Sequence, residues 1–561
     1  MPEKQAVRCR MQILSEEYAD LIISVDRFER EAVLDQACMT RVSENRAVLQ
    51  LPRSHLTADP FSYPQTPRLY GLMDETAMEA AGISRAQLQP ALGLRGSGVL
   101  IGFLDTGIDY RNPVFLDQAG RTRILRIWDQ TDQTGQSPEG FFYGTEYTDR
   151  EIQESLSGTV DIPVPERDEH GHGTFLASLA AGRPVPEQDF SGAAPEAYLA
   201  VVKLKEAKQY LRDYYFIKEN ATAYEETDLM TAVRYLVEVS GQLGLPLVIL
   251  VGLGTSYGGH AQTGPLEQQL TQVCGRLGTV VVVAAGNETG RGHHYYGGGA
   301  AKTEYVELRI PAGERGITME LWADAPESYS LQILSPLGES TGRIYPQLRE
   351  TSVFRYLMEG TILYVEDELI ERDSGSSVVR VRMETPTPGI WTLAVYGEQT
   401  VGQGFHIWLP IEGFCEEETV FLRPDPEVTI TMPSTADGPV TFGAYDHRRK
   451  SLYLHSGRGY TRNGRVKPDL TAPGVMVSGV YPDGQFGTMT GTSAAAAIGA
   501  GAAALLLEWG IVRGNEPGMR TWEVKSLMIR GARRNEKASY PNLFTGYGAL
   551  DVFHIFETVT F

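Results

Sequence analysis

Three patterns of hydrophobic and polar positions divide this chain. Continuous apolar runs of strand length, Val99–Leu104, Val248–Val251 and Val280–Ala284, carry no polar alternation, so they predict strands of a parallel sheet covered on both faces. Each ends in a short turn with glycine: Asp105-Thr106-Gly107, Gly252-Leu253-Gly254 and Ala285-Gly286-Asn287. Side chains there emerge at the C-terminal edge of the sheet, where open α/β sheets hold their sites. A second pattern alternates. Val306, Leu308 and Ile310 are separated by Glu307 and Arg309, and Val379–Met383 repeats this, which predicts half-buried antiparallel strands. Thr361–Val365, Ile390–Tyr396 and Phe405–Leu409 extend the series, with turns at Pro336–Gly338 and Pro386–Gly389 at the spacing of a β-sandwich. The third pattern is helical and small: Thr174–Ala181, and Ala494–Leu507, whose alanines suit close packing on a sheet. Near the start, Met11–Leu14, Leu21–Val25 and Ala47–Leu51 predict strands and Phe28–Cys38 a helix, a small α+β unit.

The chemistry sits where these elements end. Asp105 follows the first apolar run, His172 opens the first small-residue helix, Asn287 follows the β-branched run, and Ser493 stands at the N-terminus of the Ala-rich helix. Attack on an amide by a serine needs an imidazole to take the hydroxyl proton, a buried carboxylate to orient it, and donors for the tetrahedral oxyanion. Ser493 supplies the nucleophile, His172 the base, Asp105 the carboxylate, and the Asn287 amide with the Ser493 N–H the donors. Any one of these alone reads as an ordinary turn or helix cap. Four in one order do not.

In the order Asp, His, Ser these segments resemble the subtilases, an order distinct from chymotrypsin-like enzymes and α/β-hydrolases. Asp168 four residues before His172, Ser191–Pro195, and Arg465–Gly474 support the resemblance, which covers residues 68–300 and 427–555. Within the family the chain is similar to the clostridial Csp group, whose members carry a β-rich insertion between the oxyanion Asn and the nucleophilic Ser. The resemblance implies an α/β, subtilisin-like three-layer fold with a mostly parallel sheet over 68–302 and 427–561. It further implies an inserted all-β, jelly-roll-like domain over 303–426 and an α+β prodomain over 1–67 that assists folding and then acts as a bound inhibitor. Peptide backbone contacts fall by resemblance on Gly252, Leu253, Gly254, Ala284, Ala285 and Gly286. Gly252 departs from the family, which usually has Ser there. A peptide or protein is the implied partner, with self-cleavage between Pro52 and Tyr70 in turn-rich sequence. The Csp likeness also implies activation of a precursor protein, as in spore germination. The alternative is a pseudoprotease-like regulatory or binding protein, whose signature would be loss of a triad residue; all three stand here.

Other segments are read more plainly. Arg121–Ser157 is expected to be a surface excursion near the cleft. His293–Tyr296, followed by Gly297-Gly298-Gly299, is expected to be a solvated loop and not a metal or aromatic site, and His170 a surface neighbour. No acidic loop pattern assigns calcium, and no metal or other cofactor is called for.

Bulk properties narrow the partners. Across 561 residues, 50 basic against 71 acidic side chains give a formal charge of −21, which argues against nucleic acid and anionic membrane surfaces. Ala494–Leu507 is the longest apolar run and falls short of the roughly 20 residues a membrane span needs. Met1–Gln5 does not lead into a secretory signal, so a cytoplasmic or spore-associated protein is expected. Cys9, Cys38, Cys274 and Cys415 are scattered, without metal-ligand spacing, and are expected to be free thiols of a reducing compartment.

Overall fold

A computed structural model describes residues 76–559 apart from 160–163 and 299–301, together with 9, 11–12, 15, 17–24, 38–41 and 46–52. The chain divides into two units, Met1–Met73 and Asp74–Phe561.

In the first unit, β1 (Tyr18–Ser24), β2 (Cys38–Arg41) and β3 (Arg46–Pro52) form an antiparallel sheet in the order β1-β3-β2. Met11 and Gln12, expected in a strand, are helical instead. Residues three apart share one helical face, so Cys9 and Gln12 both reach the start of β2. The Gln12 Oε1 accepts the Cys38 N–H at 2.9 Å, and Cys9 is disulfide-bonded to Cys38 across a Cα separation of 5.2 Å. That corrects the expectation of four free thiols; Cys274 and Cys415 are free and buried. The helix expected over Phe28–Cys38 lies outside the described residues except for Cys38, which opens β2.

The second unit is built on a sheet whose first strands are β4 (Leu100–Asp105), β5 (Ile124–Asp129), β6 (Thr145–Thr148), β7 (Tyr198–Lys203), β8 (Leu247–Val251) and β9 (Thr279–Ala284). They lie in the order β9-β8-β4-β7-β5-β6, all parallel except β6. Every residue of β4, β8 and β9 is buried, which explains their uninterrupted apolar sequence. Alternate side chains feed two cores. Ile101, Phe103, Val248 and Val282 pack with Phe175, Leu176 and Leu179 of α1 (His172–Ala181). Leu100, Leu104, Ile249 and Val281 pack on the opposite face with Leu229, Val233 and Leu236 of α2 (Glu226–Leu243) and Leu270 of α3 (Pro265–Cys274). The result is three layers.

Arg121–Ser157 is not a surface excursion. Ile124–Asp129 continues the sheet as β5, and Ile127 and Trp128 are fully buried, with Trp128 packed 4.9 Å from Phe141 and 5.0 Å from Tyr235. Ile124 and Ile127 feed the core on one face of the sheet and Trp128 the core on the other, so β5 is covered on both faces.

The insertion consists of β10 (His294–Gly297), β11 (Thr303–Ile310), β12 (Gly316–Ala323), β13 (Ser328–Leu334), β14 (Glu350–Arg355), β15 (Ile362–Glu368), β16 (Ser377–Glu384), β17 (Gly389–Gln399), β18 (Phe405–Trp408) and β19 (Val420–Phe421). Two antiparallel sheets, β10-β18-β12-β16-β15-β14 and β13-β17-β11-β19, face each other. Leu321, Val365 and Val381 of the first interdigitate with Val306, Leu331 and Leu393 of the second in one core. His293–Tyr296 is therefore not a solvated loop: His294–Gly297 pairs with β18, and His293, His294 and Tyr295 are buried. Aromatic stacking accounts for this. The His294 and His406 rings lie 5.0 and 5.1 Å from Trp408, whose other neighbour is His260 at 4.1 Å. Burial lowers the pKa of His260 to about 4 and of His294 to about 3, keeping both neutral.

Beyond the insertion, Val428–Ile430 forms no strand, and the sheet resumes with β20 (Val440–Asp446), flanked by β21 (Ser451–Leu452) and β22 (Leu470–Pro473), β20 lying parallel to β9. All 16 residues of α4 (Thr492–Leu507) are buried, packed against α1, β8, β9 and β20. Its helical path continues to Val512, 21 residues in all, longer than the sequence indicated and apolar enough to cross a membrane by length and composition. It serves as the central core helix of this unit.

Candidate active site

The C-terminal ends of β4, β8 and β9 and the N-termini of α1 and α4 converge. Asp105 is the last residue of β4 and is 2% exposed. Its Oδ1 accepts the Thr106 N–H at 2.8 Å and lies 2.7 Å from His172 Nδ1. The His172 side chain keeps 29% of its surface open to solvent, so one edge of the ring is available to a ligand. Burial works against an imidazolium there, but the Asp105 charge and its hydrogen bond outweigh it, and the His172 pKa is raised above its ordinary value.

Asp168 ties the acid to the base. Its Oδ1 accepts the Thr106 hydroxyl at 2.7 Å and the Gly171 N–H at 2.8 Å; its Oδ2 accepts the Thr174 N–H at 2.8 Å and hydroxyl at 2.7 Å. Thr106 Oγ1 in turn accepts the Gly173 N–H at 2.9 Å. The turn after Asp105 and the first turn of α1 are thereby stitched together, which fixes the angle at which His172 meets Asp105. Next to them Glu166 is 1% exposed, its Oε1 accepts the Ile108 N–H at 3.0 Å, and Oε2 has no partner among the described residues. Burial raises its pKa to about 8, so the carboxyl is protonated at neutral pH.

Ser493 is the second residue of α4. Its hydroxyl donates to the Gly252 carbonyl at 2.9 Å and makes no hydrogen bond to His172. Gly252 is nevertheless the common neighbour: a Cβ built on it would lie 3.4 Å from His172 Cε1 and 3.5 Å from Asp105 Oδ2. The three segments meet around that one residue.

The Asn287 amide is held in one orientation. Its Oδ1 accepts the Thr492 N–H at 3.0 Å and the Thr492 hydroxyl at 3.3 Å, while Thr492 Oγ1 accepts the Gly286 N–H at 3.0 Å. With its oxygen occupied, the amide turns its NH2 away from Thr492, free to donate. Thr492 was given no role in the sequence. The signal was a hydroxyl at the first helical position beside the serine, where its geometry toward Asn287 is invisible without the fold.

Two backbone edges flank the serine. Among the described residues the N–H and C=O groups of Leu253 and Gly254 have no internal partner, leaving an unpaired strip beyond β8. Ala284–Gly286 form the other edge, but the Ala285 N–H donates to Phe442, its carbonyl accepts from Thr431, and both backbone groups of Gly286 are engaged with Thr492 and Gly457. This edge is a wall, not a hydrogen-bonding strip. A cavity of about 1150 Å³ is lined by His172, Leu253, Tyr224 and Tyr257 and by Trp322 and Arg380 of the insertion. His170 is exposed on its rim and takes no part in the Asp105 bond. Among the described residues no group of three or more His, Cys, Asp or Glu side chains is arranged to hold a metal.

Comparison with known proteins finds a family and relatives. Residues 96–312 and 423–549 match the subtilase family. The serine protease AprX of Bacillus subtilis (strain 168) is 33% identical over 148 residues, 23% of this chain and 31% of that protein, so the chain spans about a third of that relative. The structure of the Clostridium perfringens CspB protease superposes with a TM-score of 0.76 at 32% identity, over 86% of this chain and 96% of that one.

Proposed function

The chain belongs to the subtilase family, and on that premise we propose that it is a serine endopeptidase using Asp105, His172 and Ser493. The Ser493 hydroxyl turns from the Gly252 carbonyl to the exposed nitrogen of His172 and attacks the substrate carbonyl as His172 takes its proton. Asp105 holds Nδ1–H and stabilises the imidazolium, and the Asn287 NH2 with the Ser493 N–H stabilises the oxyanion. His172 then protonates the departing amine, leaving an acyl-serine. Water, activated by the neutral imidazole, hydrolyses that ester and restores Ser493. A substrate strand lies along Leu253 and Gly254, whose free backbone groups complete a short antiparallel pairing.

The 2.7 Å contact between Asp105 and His172, with Ser493 hydrogen-bonded to Gly252, whose missing Cβ would lie beside both of them, carries this reading. Residues 1–67 act in this proposal as a prodomain removed by self-cleavage between Pro52 and Tyr70. The Csp likeness supports activation of a precursor protein, as in germination, by an enzyme of the cytoplasm or the spore. A fluorophosphonate probe should label wild type at Ser493 and not Ser493→Ala, and intact mass should show processing in wild type alone. A protein of full mass that leaves the probe unreacted would instead fit a non-catalytic regulator.

A further inference from the structure

We infer that Thr431 sets the specificity of the site by filling the slot that receives the side chain of the residue being acylated, so that only small residues, Gly, Ala or Ser, are accepted there. The inference rests on the serine peptidase reading above.

A peptide paired along Leu253 and Gly254, with its carbonyl at Ser493 and Asn287, projects the side chain of its acyl residue between two walls. One wall is Gly252–Gly254, the other Ala284–Gly286. The space between them is taken. Thr431 is 3% exposed, its N–H donates to the Ala285 carbonyl at 3.1 Å, and its neighbour Met432 exchanges two 2.8 Å backbone hydrogen bonds with Thr255. The segment is thus laid across the gap and bonded to both walls. A Cβ built on Gly254 would lie 2.5 Å from Thr431 Oγ1, and one built on Gly286 would lie 2.5 Å from Oγ1 and 2.6 Å from Cγ2. A side chain at either position would run into the threonine, so the Thr431 side chain lies against both segments only because both are glycine at those points. The large cavity is lined by Leu253, Tyr257 and Met432 and by residues of the insertion, and includes neither Thr431 nor Ala284–Gly286. Depth in the slot therefore ends at the Thr431 hydroxyl and methyl, while room for bulky groups lies at neighbouring positions of the substrate.

The test measures kcat/KM of the full chain, with Ser493→Ala as control, on peptides that differ only in the acyl residue: Gly, Ala, Ser, Val, Leu or Phe. Wild type should favour Gly, Ala and Ser, losing about 10- to 200-fold for each group too large for the slot. Thr431→Gly should recover Leu and Phe by a similar factor, while Thr431→Val, which keeps the size and loses the hydroxyl, should not. Thermal melting checks both variants; if Thr431→Gly does not fold, Thr431→Ser should recover Val cleavage in part. Ser493-dependent cleavage that favours Leu or Phe in wild type, or a preference unmoved by Thr431→Gly or Thr431→Ser, overturns the inference and leaves the peptidase standing. No Ser493-dependent cleavage of any peptide overturns the peptidase reading, and the inference with it.

Discussion

Replacing Asp168 by Asn tests whether the link between the acid turn and the base helix matters as much as the bonds indicate. The carboxylate is 4% exposed and accepts four hydrogen bonds, two from the N–H groups of Gly171 and Thr174 and two from the hydroxyls of Thr106 and Thr174. An amide offers one acceptor atom and one donor group. The hydroxyls can reverse to suit it, but one backbone N–H must then face an NH2. A bond to a charged group is worth about 1.5–3 kcal/mol and an unsatisfied buried donor costs a similar amount, so Asp168→Asn should destabilise by about 3 kcal/mol. If misalignment carries that energy into the transition state, kcat/KM falls roughly 100-fold. Stability is best measured by urea unfolding in a Ser493→Ala background, which prevents autolysis, and kinetics in the active protein. The pH profile separates positioning from mere loosening. His172 must be neutral to act as base, so activity declines as pH falls through its raised pKa. Burial opposes the imidazolium, and the charges of Asp105 and then Asp168 support it, so removal of the Asp168 charge should move the acid limb to lower pH. Stability within about 0.5 kcal/mol of the parent, the scale of an ordinary surface change, with an unshifted limb would refute the argument.

Three further outcomes follow from the same structure. Asn287→Ala should lower kcat about 100- to 1000-fold with little change in KM, the loss known for the matching donor in a subtilisin, and Thr492→Val, which frees the amide to turn, should cost about tenfold; equal kcat in both would place the oxyanion donors elsewhere. Glu166 has a folded pKa raised to about 8 by burial, above its unfolded value, so its contribution to stability is lost as pH rises from about 4.5 towards 8. Glu166→Gln should accordingly gain on wild type over that window, by a few kcal/mol at most, in urea titrations at pH 5 and pH 8, and a pH-independent difference would contradict the burial argument. Lys467 is 1% exposed and donates at 2.8 Å each to Pro439, Thr441 and Asp469, so Lys467→Met should cost about 3 kcal/mol in urea unfolding by breaking one of the two ion pairs of the buried Asp469 carboxylate, and adding Lys525→Met, which removes the second pair at 3.2 Å, should cost more than the sum of the two single changes; plain additivity would contradict the shared-carboxylate argument.

Much of the site was legible in sequence because its residues follow elements with strong local signatures. Val99–Leu104 and Val280–Ala284 could only be buried strands, and Ala494–Leu507 could only be a closely packed helix, so Asp105, Asn287 and Ser493 were assigned to element ends that the structure contains. Misreadings came where local composition points one way and tertiary contacts another. The glycines and histidines around His293–Tyr296 resemble a loop until β18 pairs with them and Trp408 stacks on His294. Polar and aromatic residues in Arg121–Ser157 look solvated until Trp128 is enclosed by Phe141 and Tyr235. Met11 and Gln12 look like a strand until Cys38 recruits a helical turn.

By itself the sequence determined which polar residues stand at the C-terminal edge of a parallel sheet and at the helix ends beside it, since hydrophobic period and turn chemistry act over a few neighbouring residues. Only the tertiary structure decided how Asp168 locks His172, how Thr492 turns Asn287, and what Thr431 leaves open between two glycines. Those are distances between residues far apart in the chain, set by how whole layers pack, and no local pattern encodes them.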